Sequence, residues 1–396
     1  MREGINTMKF GIFYEHSVAR PWSDISEWRV YHQALEQIRL ADKLGFDQVW
    51  EVEHHFLDEY SHSPAPEVFL AAAAAQTQNI HICQGIALCL PEVNHPARIA
   101  ERAAVLDIIS NGRLEFGTGR SATWTELGGF LVEPDDTKEQ WDEVIRAIPR
   151  MWRDEEFEWE GKYFSMPARN ILPKPVQKPH PPMWVAVSSP ETAIQAAERG
   201  MGLLGVSIGT PDEYEERVAD YRRIIKTAEP VGEFVNNQVN GVGWMFCGET
   251  EEEAQAVGTP GSMAFMNSAA HLSGVGAVYP SPAYGSQASA IQLRNRPGDV
   301  ASTRQQQGMI GSPDQVIEAL KGWESIGVDR MVFLINYDQV IPHAKIMESL
   351  TRFSEEVMPA FDVPGELPSL TTLPDFDAVE EVGLLEREGA LVAGGD

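Results

Sequence analysis

The chain has 396 residues, 43% hydrophobic and 23% charged, which is ample material for a large core and excludes a chain that is disordered throughout. Its 31 Lys and Arg stand against 59 Asp and Glu, a formal charge of −28 that repels phosphate backbones and anionic lipid and argues against nucleic-acid or membrane-surface partners. Cys83, Cys89 and Cys247 lie in apolar runs without zinc or disulfide spacing, and no apolar stretch approaches a membrane span or the middle of a signal peptide, so a soluble cytoplasmic protein is expected.

In chain order, residues 1–7 precede the first apolar run and read as an N-terminal extension. Strand-like runs follow at 9–14, 47–51, 80–90, 113–117, 183–187, 202–208, 238–247 and 330–336. Between and after them, helical periodicity marks 30–44, 67–76, 97–109, 137–152, 190–199, 212–228, 250–257, 313–326 and 342–357. Start and stop signals agree at several ends, such as Ser312 before Pro313, and Gly45, Gly112, Gly200 and Gly327 after helices.

Alternating strands and helices predict an α/β fold, and eight such units are what a (β/α)8 TIM barrel requires. A doubly wound open sheet is disfavoured because the turn after the first strand, Tyr14-Glu15-His16-Ser17, carries no glycine fingerprint for a dinucleotide. Long irregular insertions are expected after strands 4 and 7, at 154–182 and 258–311, and the second is read as a lid over the barrel mouth. The domain reading is a single barrel over 8–360 and an acidic tail over 361–396, which holds nine Asp and Glu against one Arg from Asp362 onward and is read as solvated.

Three clusters fall at the ends of strands where barrel active sites form. Glu51-Val52-Glu53-His54-His55-Phe56 brings two imidazoles and two carboxylates together, and histidine is the side chain suited to proton transfer near neutral pH. The competing reading is a structural histidine bonded within a loop. Adjacent histidines on a strand point to opposite sides and the H-E-x-x-H spacing is absent, so no metal site is expected. Phe116-Gly117-Thr118-Gly119-Arg120-Ser121 combines small residues, which let backbone amides approach an anion, with a guanidinium to grip it. Ser188-Ser189-Pro190-Glu191-Thr192 opens a helix with hydroxyls and free amides, which suits either a plain N-cap or a phosphate seat. With Arg120 on the neighbouring barrel strand, the two signals would converge on one phosphate. Asn94-His95-Pro96-Ala97-Arg98 reads as architecture, with Arg98 paired to Glu101 or Asp107.

Ordered blocks carry a resemblance: 47–56 (DQVWEVEHHF), Leu90-Pro91 with His95-Pro96-Ala97-Arg98, 111–117 (NGRLEFG), Ala197-Glu198-Arg199-Gly200, Ile310-Gly311-Ser312-Pro313 and Glu356-Val357-Met358-Pro359. Across roughly 8–360 the chain resembles the bacterial luciferase-like flavin-dependent monooxygenases. The resemblance implies a two-component, FMNH2-dependent monooxygenase, in which a separate flavin reductase supplies reduced FMN. Oxygen then forms a flavin C4a-hydroperoxide that oxidises a small apolar aldehyde, ketone or terpenoid.

By position, His54 matches the family's active-site histidine, a general base or stabiliser of the peroxide, with Glu53 counted beside it among the cofactor-binding residues. Arg120, Ser188, Ser189 and Thr192 match the positions that hold the flavin phosphate. Ile86 and Ala87 match a non-prolyl cis peptide under the flavin ring. The resemblance also implies a homodimer through barrel helices. The chain departs from luciferase at Gly119, where luciferase has a reactive cysteine, and at Ser188, where it has a carboxylate. Two alternatives stand beside this reading: an F420-dependent oxidoreductase on the same barrel, and a non-catalytic flavin-binding accessory subunit.

Overall fold

Lys9–Tyr14 (β1) is an apolar, aromatic run buried on both faces, as a strand inside a helix-wrapped barrel must be. The computed structural model describes residues 8–375 apart from 59, 122, 207–209, 276–308, 336–338 and 362–368. After β1 come Ser26–Leu44 (α1), Gln48–Glu51 (β2), Pro66–Ala74 (α2), His81–Leu88 (β3), Pro96–Ile109 (α3), Leu114–Gly119 (β4), Trp124–Gly129 (α4) and Thr137–Arg153 (α5). Then follow Phe157–Glu160 (β5), Ser165–Arg169 (β6), Met183–Val187 (β7), Pro190–Glu198 (α6), Gly202–Val206 (β8), Pro211–Ile224 (α7) and Val239–Trp244 (β9). The last part comprises Phe246–Cys247 (β10), Glu251–Val275 (α8), Ile310–Gly311 (β11), Pro313–Ser325 (α9), Arg330–Leu334 (β12) and His343–Arg352 (α10).

β1, β2, β3, β4, β7, β8, β9 and β12 pair in parallel, each with the next in the chain, and β12 returns to β1 to close the barrel. The expected α/β barrel is therefore the fold, with all eight expected strands in it. Trp50 and Trp184 meet edge to face in its interior at 5.6 Å. Their indole nitrogens donate to Gln48 and Glu115, so these buried polar groups are satisfied. Arg330 binds Asp47 at 2.5 Å near the N-terminal ends of the strands and seals that end of the barrel. The opposite, C-terminal end is left for chemistry.

The differences from expectation lie outside the barrel wall. The run read as one strand over 238–247 splits: β9 stays in the barrel, while β10 pairs with β11 in a separate two-stranded sheet. The helix expected to stop near Val257 runs on to Val275 through Gly258, Pro260 and Gly261. Packing of Ala254 and Phe265 into the core outweighs the poor helix propensity of those residues. The first part of the expected lid is thus helix, and 276–308 lies outside the described residues. The insertion read as irregular at 154–182 contains an antiparallel hairpin, β5 and β6, whose turn lays Trp159 on Phe164 with centroids 5.8 Å apart.

Part of the tail read as solvated is docked. Thr372 forms an antiparallel bridge with Lys178 and Thr371 bonds Gln177, which in turn is held by Asp107. The rest of 361–396, like residues 1–7, falls largely outside the described residues. Among the described residues no helix is long and apolar enough to cross a membrane.

Candidate active site

The loop after β2 carries His54 between two carboxylates. Its Nδ1 lies 3.0 Å from Oε1 of Glu126 on α4, and its Nε2 lies 3.6 Å from Oε2 of Glu15, the residue after β1. Glu126 is buried and fully engaged: Ser121 and Thr123 donate to its other oxygen at 2.6 and 2.8 Å, and the His55 amide donates to Oε1 at 3.1 Å. Burial would raise the Glu126 pKa, but His54 and the two hydroxyls hold it below the usual carboxylate range. Burial likewise opposes the imidazolium of His54, yet Glu126, Glu15 and Glu53 together lift its pKa to about 9. At neutral pH His54 is therefore a cation with Nδ1–H directed at Glu126.

The residues on either side of His54 in this loop bond to each other instead. His55 Nε2 meets Glu53 Oε1 at 3.2 Å. Glu53 is nearly buried and also accepts from the Leu88 amide at 2.7 Å and the Asn94 side chain at 2.7 Å. These bonds tie the ends of β2 and β3 together, so Glu53 fixes the loop that presents His54. Arg98 pairs with Glu101, leaving Asp107 to Gln177.

Around the barrel, Arg120, Ser188 and Thr192 line one small cavity with Gly119, Ser121, Trp141, Val185, Ala186 and Gln195. Its volume of about 60 Å³ suits a single compact group and is far below the roughly 300 Å³ or more of a whole ligand pocket. A protein of charge −28 puts no carboxylate on that lining. Arg120 is oriented by Thr137 Oγ1 at 3.1 Å, and α6 aims its N-terminus at the same region through Pro190. Arg120 and the Ser188 segment thus converge as expected. Ser189 does not join them on the lining. It is the N-cap of α6, accepting from the Thr192 amide at 3.3 Å, with its hydroxyl 3.0 Å from that of Thr192.

The expectation at Ile86 and Ala87 needs correction. The peptide between them is trans, since the cis bonds among the described residues are Arg20–Pro21, Leu172–Pro173 and Lys178–Pro179. The backbone irregularity there is a bulge: Gln84 pairs with Phe116 and Ala87 with Thr118, so β3 carries one more residue than β4 over this span. Gly117 is what permits it, because a Cβ there would come within 2.1 Å of the Gln84 carbonyl oxygen. The bulge turns Ile86 toward Gly119, where an added Cβ would meet Ile86 Cγ1 at 2.9 Å. The small residues read as an anion cradle thus serve close strand packing at Gly117 and border the cavity at Gly119.

Sequence reasoning passed over Glu15, Tyr60 and Glu126. Glu126 had a signal in Thr123-Trp124-Thr125-Glu126, a capping-box spacing in which Thr123 caps α4 and accepts from the Glu126 amide. Glu15 stood in plain view beside His16 at the end of β1.

A profile of luciferase-like monooxygenases matches residues 8–330. The oxygenase component of the flavin-dependent trigonelline monooxygenase of Acinetobacter baylyi is 26% identical over 361 residues, 89% of this chain and 96% of that one. The oxygenating constituent of 3,6-diketocamphane monooxygenase from Pseudomonas putida, a type II Baeyer–Villiger enzyme solved with FMN, superposes with a TM-score of 0.73. That match is at 21% identity and covers 89% of this chain and 98% of that one. An F420-dependent glucose-6-phosphate dehydrogenase of Microbacterium testaceum is 29% identical over 45% of this chain and 54% of its own length. The chain belongs to the luciferase-like monooxygenase family and is an enzyme of its flavin-dependent monooxygenase class.

Proposed function

Starting from that membership, we propose that the chain is the oxygenase component of a two-component system. It takes reduced FMN from a separate flavin reductase and uses O2 to oxidise a small apolar organic substrate of aldehyde, ketone or terpenoid type. The observation that carries this reading is the cavity lined by Arg120, Ser188 and Thr192, a carboxylate-free seat for a phosphate at the ends of β4 and β7. The Acinetobacter relative is named as an oxygenase component and the Pseudomonas neighbour holds FMN, which agrees with both halves of the proposal.

FMN, when bound, supplies the electrons that activate oxygen. The protein's own groups do the rest. Arg120, steadied by Thr137, binds the phosphate with the hydroxyls of Ser188 and Thr192, while Ser189 shapes the end of α6. Ile86 and Ala87 form the bulged wall of the barrel mouth beside Gly119. His54, kept cationic by Glu126, stabilises negative charge that develops beside it; at neutral pH it acts as a donor, not as a free base.

A homodimer through α2 and α3 fits the exposed Val68, Val105, Ile108 and Ile109 on those helices. F420 is the competing cofactor. Its acidic polyglutamate tail suits a surface of charge −28 less well than FMN does.

The test is to bind reduced FMN to the protein without oxygen, mix rapidly with oxygenated buffer and follow the absorbance. Reoxidation much slower than that of free reduced FMN, with substrate-dependent product, is expected. Binding of F420 with no binding of reduced FMN would reverse the assignment.

A further inference from the structure

Beyond its share in raising the His54 pKa, Glu15 takes no part in the function proposed above, yet its position is unusual. Its side chain is 7% exposed, and its Oε2 accepts no hydrogen bond and faces His54 Nε2 at 3.6 Å. Its other oxygen receives only a long bond from Tyr60 Oη at 3.4 Å, while Ser61 Oγ pins its backbone carbonyl at 2.6 Å. The Tyr60 ring packs between His54, at 5.8 Å, and Phe265 of α8, at 5.1 Å, so apolar surface closes this side. The ionisable groups facing Glu15 are His54 and Tyr60 from the loop after β2, Glu51 at the end of β2 and Glu126 from α4. A buried carboxylate oxygen without a hydrogen bond is costly unless it is protonated or paired with a nearby positive charge, and His54 is the group in place to do either.

We propose that Glu15 and His54 form a proton-holding pair, in which Glu15 stores and returns, through His54 Nε2, the proton exchanged at the active site. Glu15 is thus a positioning and relay residue for His54, not a contact to the cofactor. In the internal step the Nε2–H bond of the imidazolium breaks and an H–Oε2 bond forms on Glu15, turning imidazolium and carboxylate into imidazole and carboxylic acid with no change in the pair's total charge. When the imidazolium gives its Nε2 proton to the bound reactant, the H–Oε2 bond of protonated Glu15 breaks and the Nε2–H bond re-forms, and the reverse sequence stores the proton again.

The electrostatics agree with the geometry. Burial lifts Glu15 to about 7 against the pull of His54 and Tyr60, while His54 is lifted to about 9. Between those limits the pair carries one exchangeable proton, and the two steps belong to the pair and not to either residue. Use of this proton in turnover rests on the proposed function; the pair itself rests on the geometry alone.

The test titrates ligand-free protein labelled with [13Cε1]histidine by NMR, with the His54 signal assigned from His54→Gln. The wild type should show two steps for His54, near pH 7 and near pH 9. Glu15→Gln should abolish the lower step and bring the upper one down by about one unit, as loss of a neighbouring opposite charge requires. Glu15→Asp should restore both steps, and Tyr60→Phe, which removes a donor to Glu15, should move the lower step upward. A single wild-type step that Glu15→Gln leaves in place overturns the pair, whatever the protein binds. Two steps in a protein that binds no reduced FMN uphold the pair and overturn the proposed function instead.

Discussion

Oε1 of Glu126 lies 3.0 Å from Nδ1 of His54 and 3.1 Å from the backbone nitrogen of His55, so one carboxylate oxygen sets both the histidine ring and the loop that carries it. The capping geometry of α4 holds that carboxylate in place, with Thr123 serving both the helix end and the Glu126 side chain. A short helix outside the barrel wall therefore determines the charge of a side chain in the barrel mouth.

Glu126→Gln keeps the shape and removes the charge. The His54 pKa should fall from about 9 toward its ordinary value by roughly one to three units. Oxygenation at neutral pH should drop by about 10- to 100-fold if the cation is what stabilises the reacting group. Histidine NMR and single-turnover kinetics on the same sample check both, and an unchanged His54 titration contradicts the assignment.

Gly117→Ala places a methyl 2.1 Å from the Gln84 carbonyl oxygen, against the bulge that joins β3 to β4. The backbone must move, at a cost of about 1–3 kcal/mol for overpacking a tight core. Thermal melting should show the loss, whereas Gly45→Ala, with open space around it but a φ of 85°, should cost only about 1–2 kcal/mol of left-handed strain. Equal stability of Gly117→Ala and the wild type would remove the close-approach explanation.

His16 is buried against Tyr31 and Phe69 with its Nε2 3.1 Å from Glu51, whose carboxyl burial keeps neutral, so burial of His16, helped by His62, depresses the histidine's pKa to about 3. The unfolded chain protonates the same residue near 6.5 and so binds more protons in the interval between. The contribution is complete above pH 6.5 and is lost as the pH falls toward 3. The unfolding free energy from denaturant titrations should decline across that window with a slope of up to about 1.4 kcal/mol per pH unit from this residue. His16→Gln should flatten the decline; an identical slope in the variant would assign acid sensitivity elsewhere.

Much of the barrel was legible because its strands are apolar runs of fixed length and its helices carry caps. Arg120, Ser188 and Thr192 were legible for a related reason: their chemistry is local, written in the residues that follow a strand or open a helix. Glu15 and Glu126 were not, because their meaning depends on His54, 72 residues from Glu126 in the chain and on a different turn of the barrel. The length of α8 was hidden for a similar reason. Gly258, Pro260 and Gly261 argue for an end to the helix, and the burial of Ala254 and Phe265 with the fit of Gly258 against Phe246 and Ile310 explains why it continues. At Ile86 and Ala87 the irregular backbone was anticipated at the right place, but a bulge and not a cis bond produces it.

The central claim is that Arg120, Ser188 and Thr192 hold the phosphate of reduced FMN, and the most direct measurement compares anaerobic binding of reduced FMN with reduced riboflavin, which lacks only that phosphate. The account predicts at least tenfold tighter binding of FMN, with most of the difference lost in Arg120→Ala, as removal of a charge-assisted bond worth about 1.5–3 kcal/mol requires. Equal affinity for the two flavins, or an FMN preference that survives Arg120→Ala, would contradict it.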